Sequence, residues 1–280
     1  MTTKGHDRLR AWLLGLWSTA ALLYLFIPIF IVVLFSFNDN KGRFNFTWNG
    51  FTLRHWEHPF ANPDLGTALK NSLLIAGIST VIATALGTFM ALALVRYGFR
   101  GRGATDLFVF LPLATPEVVL GAALLALFLT LNVNTGFATI VIAHVMFNIS
   151  YVVVTVKARL EGMDQHIEEA AMDLGAGVWT TFFKVTLPMI APGVASAALL
   201  AAALSVDDYV ITSFNAGQTI TFPLFIFGAA RQGVPPEVNV LATGLLFVVL
   251  ILLALNVVVQ RARARRDVPL PLAVGAPANA

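Results

Sequence analysis

Three carboxylates stand in stretches that are otherwise apolar: Glu117, Asp207 and Asp208. An ionisable group in a bilayer core is costly and normally faces a cavity or a partner, so acids in such stretches mark a path or a pairing. No Lys or Arg joins them inside the apolar runs. A path lined by carboxylates alone attracts cations and repels sulfate, phosphate or molybdate. Each acid also has a structural reading. Thr115-Pro116-Glu117 reads as N-cap, N1 and N2 of a half-helix restarting after a proline break, with Glu117 complementing its dipole. A broken span near the membrane midplane is also where transporters build binding sites. Asp207 and Asp208 point about 100° apart on a continuous helix, so one would meet cargo while the other bonds a neighbouring helix or a second subunit. Ser205, Asp208 and Thr212 share a polar face, which favours Asp208 for cargo. His144, Asn148 and Tyr151 recur at i, i+4 and i+7 and form a polar stripe, suited to a path or to interhelical hydrogen bonds.

These residues need membrane helices to hold them. The chain has 280 residues, 58% of them apolar and 12% charged. Its mean hydropathy is +0.79. A soluble domain carries about 25% charged residues, so the expected class is an all-α integral membrane protein. Apolar runs of about 20 residues suffice to cross a bilayer. Six are expected, over 11–35, 72–95, 107–131, 137–156, 193–211 and 240–259, the third interrupted by Pro112 and Pro116. The first lacks a small-residue cleavage site and reads as a retained span. The expected organisation is an N-terminal segment 1–10, one six-span membrane domain 11–260, and a basic, disordered tail 261–280. Loop 36–71 is polar and aromatic-rich, with Trp48 and Trp56 as interface-belt residues. In loop 212–239 the apolar piece 223–230 is too short to cross and reads as re-entrant or interfacial.

Of the 18 Lys and Arg residues, all but Lys41, Arg43, Arg54, Lys70 and Arg231 fall on the side that carries both termini. By the positive-inside rule that side is cytoplasmic. The basic residues are thereby explained as topology signals and not as a nucleic-acid surface. There is no cysteine, which excludes disulfides and thiolate metal sites. No phosphate-binding loop is visible, since Gly175-Ala176-Gly177 has no lysine behind it. No metal spacing or nucleophile motif appears either. The chain is expected to bind no cofactor, to catalyse no reaction, and to draw its energy from a partner.

The long polar interval 157–192 lies on the cytoplasmic side. Asp164 can N-cap a short helix, with Glu168 and Glu169 in its first turns, where negative charge is favoured. Ile167, Ala170, Ala171 and Leu174 give it a small apolar face, and Gly175 supplies the φ > 0 stop. Residues 178–185 can restart as a second helix. The result is a flat knob for docking in another protein's groove, with Glu168, Glu169, Ala170, Ala171, Asp173, Leu174 and Gly175 as its candidate coupling residues.

Glu169-Ala170-Ala171, three residues, Gly175, then the distant Leu187-Pro188 resembles the cytoplasmic loop of binding-protein-dependent ABC importer permeases. The resemblance extends across essentially the whole chain. Ser205–Val210, Gly233–Asn239 and Val153–Leu160 look like the spermidine/putrescine branch, in particular its second permease subunit. The resemblance implies a type I importer architecture with six spans in the bacterial inner membrane. It also implies a cytosolic ABC ATPase homodimer that holds ATP and Mg, a second, homologous permease forming a heterodimer, and a periplasmic polyamine-binding protein. The polyamine branch also carries an acid after the proline that precedes Glu117, and resemblance adds Trp48 as a cargo or binding-protein contact. Two alternatives stand beside this reading. One is the same machinery with another cationic cargo, such as an organic amine, an opine or ferric ion. The other is a cation-coupled secondary carrier, which would not depend on the Glu-Ala-Ala loop.

Overall fold

Lipid offers backbone N–H and C=O groups no partner, so long uncharged runs must satisfy their hydrogen bonds internally. A computed structural model describes residues 3–42 and 44–266. Arg43 and the end of the expected tail, 267–280, lie outside the described residues. In chain order the helices are α1 (Thr3–Phe35), α2 (Arg54–Glu57), α3 (Pro63–Arg96), α4 (Arg102–Ala114), α5 (Glu117–Thr130) and α6 (Phe137–Glu161). They continue as α7 (His166–Asp173), α8 (Val178–Thr181), α9 (Leu187–Asp207), α10 (Val210–Asn215), α11 (Phe222–Gln232) and α12 (Pro236–Arg266). A π-helical turn, Phe182–Thr186, joins α8 to α9.

Among the described residues, four segments are long and apolar enough to cross a membrane: Arg10–Phe35, Pro63–Arg96, Phe137–Glu161 and Val178–Asp207. The pair α4–α5, bent by 109° at Thr115-Pro116, makes a fifth if counted as one broken span. In α12 the apolar piece Pro236–Ile251 is shorter.

Besides the shorter apolar piece in α12, where a sixth span is expected over 240–259, two spans differ in their bounds. The second begins at Pro63 and not at 72, because Asn62 caps it, its side chain accepting from the N–H groups of Asp64 and Leu65. Pro63 fits the first helical position, where its missing N–H costs nothing. The fifth, expected over 193–211, starts at Val178 and ends at Asp207. Leu187-Pro188, expected in the loop, is therefore inside it, and the connection around α7 is correspondingly shorter.

The chain forms two units. One comprises the described residues up to Ala61 together with those from Gly233 to Arg266. Within it the buried Asn38 organises the 36–51 loop, its amide donating to Asn45 Oδ1 at 2.6 Å and to the Thr47 carbonyl at 2.8 Å. Phe37 stacks on Phe51 and Trp56. Trp48 is half-exposed, edge-on to Phe35 at 6.3 Å.

The other unit, Asn62–Gln232, is built on α3, α6 and α9. Ala83, Gly87 and Ala91 recur every four residues and are buried along α3, the small-residue stripe that lets helices pack closely. A Cβ on Gly87 would lie 2.6 Å from Val152 Cγ1, so the glycine sets how closely α3 approaches α6. The piece 223–230 is helical as part of α11, whose first residue is tied to α3 by the Phe222 N–H donating to Ser72 Oγ at 2.9 Å.

Candidate functional site

The acids lie at two helix breaks in the Asn62–Gln232 unit. At the first, Thr115 ends α4 and its hydroxyl donates back to the Leu111 carbonyl at 2.7 Å. Pro116, with φ −58° and ψ 134°, takes the N-cap position, and Glu117 is the first residue of α5. The expected register, with Thr115 as N-cap, is shifted by one because Thr115 spends its hydroxyl on the preceding turn. Glu117 is exposed and keeps its place in the positive end of the helix dipole.

The second break is at Asp208, where a continuous helix was expected. Asp207 is the last residue of α9, while Asp208 is extended, with φ −63° and ψ 120°. Its carboxylate caps α10, with Oδ1 accepting from Ile211 N–H at 3.3 Å and Oδ2 from Thr212 N–H and Oγ1–H, each at 2.7 Å. His144 completes the arrangement. Its Nε2 lies 3.2 Å from Asp208 Oδ2 and 2.9 Å from Thr212 Oγ1, and its Nδ1 is 2.6 Å from Ser205 Oγ. Ser205 is in turn 3.1 Å from Ser79 Oγ on α3. The polar face expected of Ser205, Asp208 and Thr212 thus exists, but it is turned onto His144 and closed. Asp208 is largely buried, while its neighbour Asp207 is exposed.

The rest of the stripe on α6 divides. Asn148 is 0% exposed, and neither its Nδ2 nor its Oδ1 has a hydrogen-bond partner among the described residues. Tyr151 is half-buried, its ring edge-on to Phe147 at 5.0 Å. The two half-helices that follow the breaks pack on each other, since a Cβ on Gly121 of α5 would come within 2.8 Å of the Phe214 ring on α10. Asn215 Nδ2 reaches the Gly121 carbonyl at 3.4 Å. Trp48 belongs to the other unit.

The Glu-Ala-Ala stretch is α7, and none of its residues is buried. Asp164 does not occupy the N-cap position, which falls to Gln165, but its Oδ1 accepts the His166 N–H at 3.0 Å and lies 2.7 Å from the His166 ring Nδ1. That hydrogen bond holds the His166 imidazole above its ordinary pKa and the Asp164 carboxyl below its own. At the other end Gly175 has φ +89°. Its N–H donates to the Met172 carbonyl at 2.9 Å and the Ala176 N–H to the Ala171 carbonyl at 3.1 Å, the bond pair of a Schellman stop. Glu169, Ala170, Asp173 and Leu174 are exposed, Leu174 at 90%, while Ala171 is half-buried.

Glu168 differs from its neighbours. Its Oε2 is 2.9 Å from Arg96 Nε, and its Oε1 accepts the Thr186 hydroxyl at 2.7 Å. Neither Arg96 nor Thr186 was singled out from the sequence, although Arg96 is the basic last residue of a span. Lys157 on α6 and Asp106 on α4, paired at 2.7 Å, were missed as well, because Asp106 falls just before the expected third span.

Residues 83–266 match the profile of the family described as "Binding-protein-dependent transport system inner membrane component", and the chain belongs to that family. It is an integral membrane permease subunit of the ABC importer class. Among its relatives is the spermidine/putrescine transport system permease protein PotC of Haemophilus influenzae, 41% identical over 239 residues, covering 85% of this chain and 92% of the relative. PotC of Escherichia coli K12 is 38% identical over 252 residues, covering 90% and 95%. The putrescine transport system permease protein PotI of E. coli K12 is 40% identical, covering 81% and 84%. A solved bacterial ABC transporter involved in import of the acidic polysaccharide alginate shares the fold, with TM-score 0.63 at 18% identity over 92% of this chain and 96% of that one.

Proposed function

We propose that this chain is one permease subunit of an ATP-driven importer of polyamines, with six spans and both termini in the cytoplasm. α12 supplies the sixth span, and the surplus of Lys and Arg beside the Glu-Ala-Ala helix supports the orientation. A periplasmic binding protein delivers spermidine or putrescine. A second, homologous permease completes the cavity, and a cytosolic ABC ATPase homodimer, which holds ATP and Mg, seats α7. ATP-driven closure of that pair moves the spans between inward-open and outward-open states. The substrates named for PotC and PotI support the cargo.

The observation that carries the reading is the pair of packed half-helices, each preceded by a break that bears an exposed carboxylate, Glu117 at one and Asp207 at the other. Polyamine ammonium groups are the complement of such a path. Asp208 and His144 hold the second break in shape, Asn148 and Tyr151 extend the polar stripe, and Trp48 offers an aromatic face for an ammonium group.

The test is ATP hydrolysis by the reconstituted complex. It should rise when the binding protein is loaded with spermidine or putrescine and not when it is loaded with a dicarboxylate or ferric ion. Equal stimulation by ferric ion would move the cargo to another cation. Full uptake after deletion of α7 would point to a secondary carrier.

A further inference from the structure

We infer that Glu168, unlike the rest of the Glu-Ala-Ala helix, does not meet the ATPase but is the strut, with Arg96 and Thr186, through which α7 moves the membrane helices. This rests on reading α7 as the docking helix. A helix that passes on a movement must be attached to what it moves, and α7 has no buried residue to attach it. Beneath it lies a cavity of about 230 Å³ lined by Leu92, Arg96, Met172, Phe182 and Thr186, where packing would otherwise be. What crosses that gap is the Glu168 carboxylate. One oxygen meets Arg96, the last residue of the 34-residue α3, at 2.9 Å. The other takes the hydroxyl of Thr186, in the π-helical turn that leads into α9, at 2.7 Å.

Both ends of the pair are well placed. Glu168 sits in the first turn of α7 and Arg96 in the last turn of α3, so each charge is favoured by its own helix dipole. Their side chains are 13% and 9% exposed, which removes most of the solvent screening that makes surface ion pairs weak. The π turn is a place where a helix can change register, and such turns cluster at functional positions. One carboxylate therefore links the docking helix to two membrane helices, whereas Glu169 beside it, though it lines the same cavity, is exposed.

The experiment uses the assembled permease–ATPase complex in proteoliposomes, with three readouts: ATPase subunits retained through purification, ATP hydrolysed, and cargo taken up. Glu168→Lys and Arg96→Glu should each keep the ATPase subunits at the wild-type ratio while uptake per ATP falls about tenfold. The double reversal should recover uptake per ATP to within about threefold of wild type, incompletely because each charge then opposes its helix dipole. Glu168→Gln, which keeps size and the Thr186 bond, should fall between and guards against misfolding of the reversals. Loss of the ATPase subunits from Glu168→Lys would make Glu168 a docking contact and overturn the strut. A double reversal as impaired as either single change would do the same. A wild-type complex that retains no ATPase subunit would instead sink the reading of α7 on which the strut depends.

Discussion

At the residue scale the two adjacent aspartates separate. Asp208 is held by His144, Thr212 and two backbone N–H groups, whereas Asp207 is exposed. Leaving a buried polar group unpaired costs about 1–3 kcal/mol, so Asp208→Ala and His144→Ala should lower the thermal midpoint of the purified complex. Asp207→Asn should leave that midpoint unchanged and raise the KM for spermidine more than for a monoamine. Thermal unfolding and uptake assays on the same preparations check both statements; an unstable Asp207→Asn would reverse the assignment. The shared face of Ser205, Asp208 and Thr212 was legible in their spacing. The break at Asp208 was not, because Ser205-Val206-Asp207-Asp208-Tyr209 contains neither Pro nor Gly. A side-chain carboxylate there replaces helical hydrogen bonds, which local sequence does not announce.

At the element scale the informative residues are glycines and prolines. Gly87→Ala pushes a methyl group into Val152, and overpacking of this kind costs about 1–3 kcal/mol. The loss should be visible as poor recovery of the folded permease, and Val152→Gly in the same chain, which removes both clashing carbons (Cγ1 at 2.6 Å and Cβ at 2.8 Å), should recover part of it. Gly175→Val forces a β-branched residue to φ +89°, where an L side chain costs about 1–2 kcal/mol. The end of α7 should then fray and ATPase retention should fall, a result read by co-purification. The stop at Gly175 was legible because glycine is the residue that a left-handed position favours. The joining of α8 to α9 was not, because Pro188 and Pro192 read as breaks. Pro188 lies in the first turn of α9, and just before it the Leu187 N–H reaches back to the Phe182 carbonyl, so a π turn carries the helix through.

At the scale of the whole molecule, the broken spans and the Glu-Ala-Ala helix belong to one unit, Asn62–Gln232, while α1, α2 and α12 form the other. The carboxylates and α7 thus stand in the same unit as the α3–α6–α9 frame, with α7 packed on α8 and on the π turn that leads into α9. The membrane class was legible in composition and the family in one loop. The half-helix packing was not, since it depends on contacts between residues as distant as Gly121 and Phe214. The most direct measurement is ATP-dependent uptake of labelled spermidine and putrescine into vesicles carrying the assembled complex, with unlabelled amines and ferric ion as competitors. Saturable uptake that needs hydrolysable ATP and the binding protein, and that only polyamines block, is the predicted result. Binding-protein-stimulated ATP hydrolysis with no amine uptake would contradict the polyamine assignment.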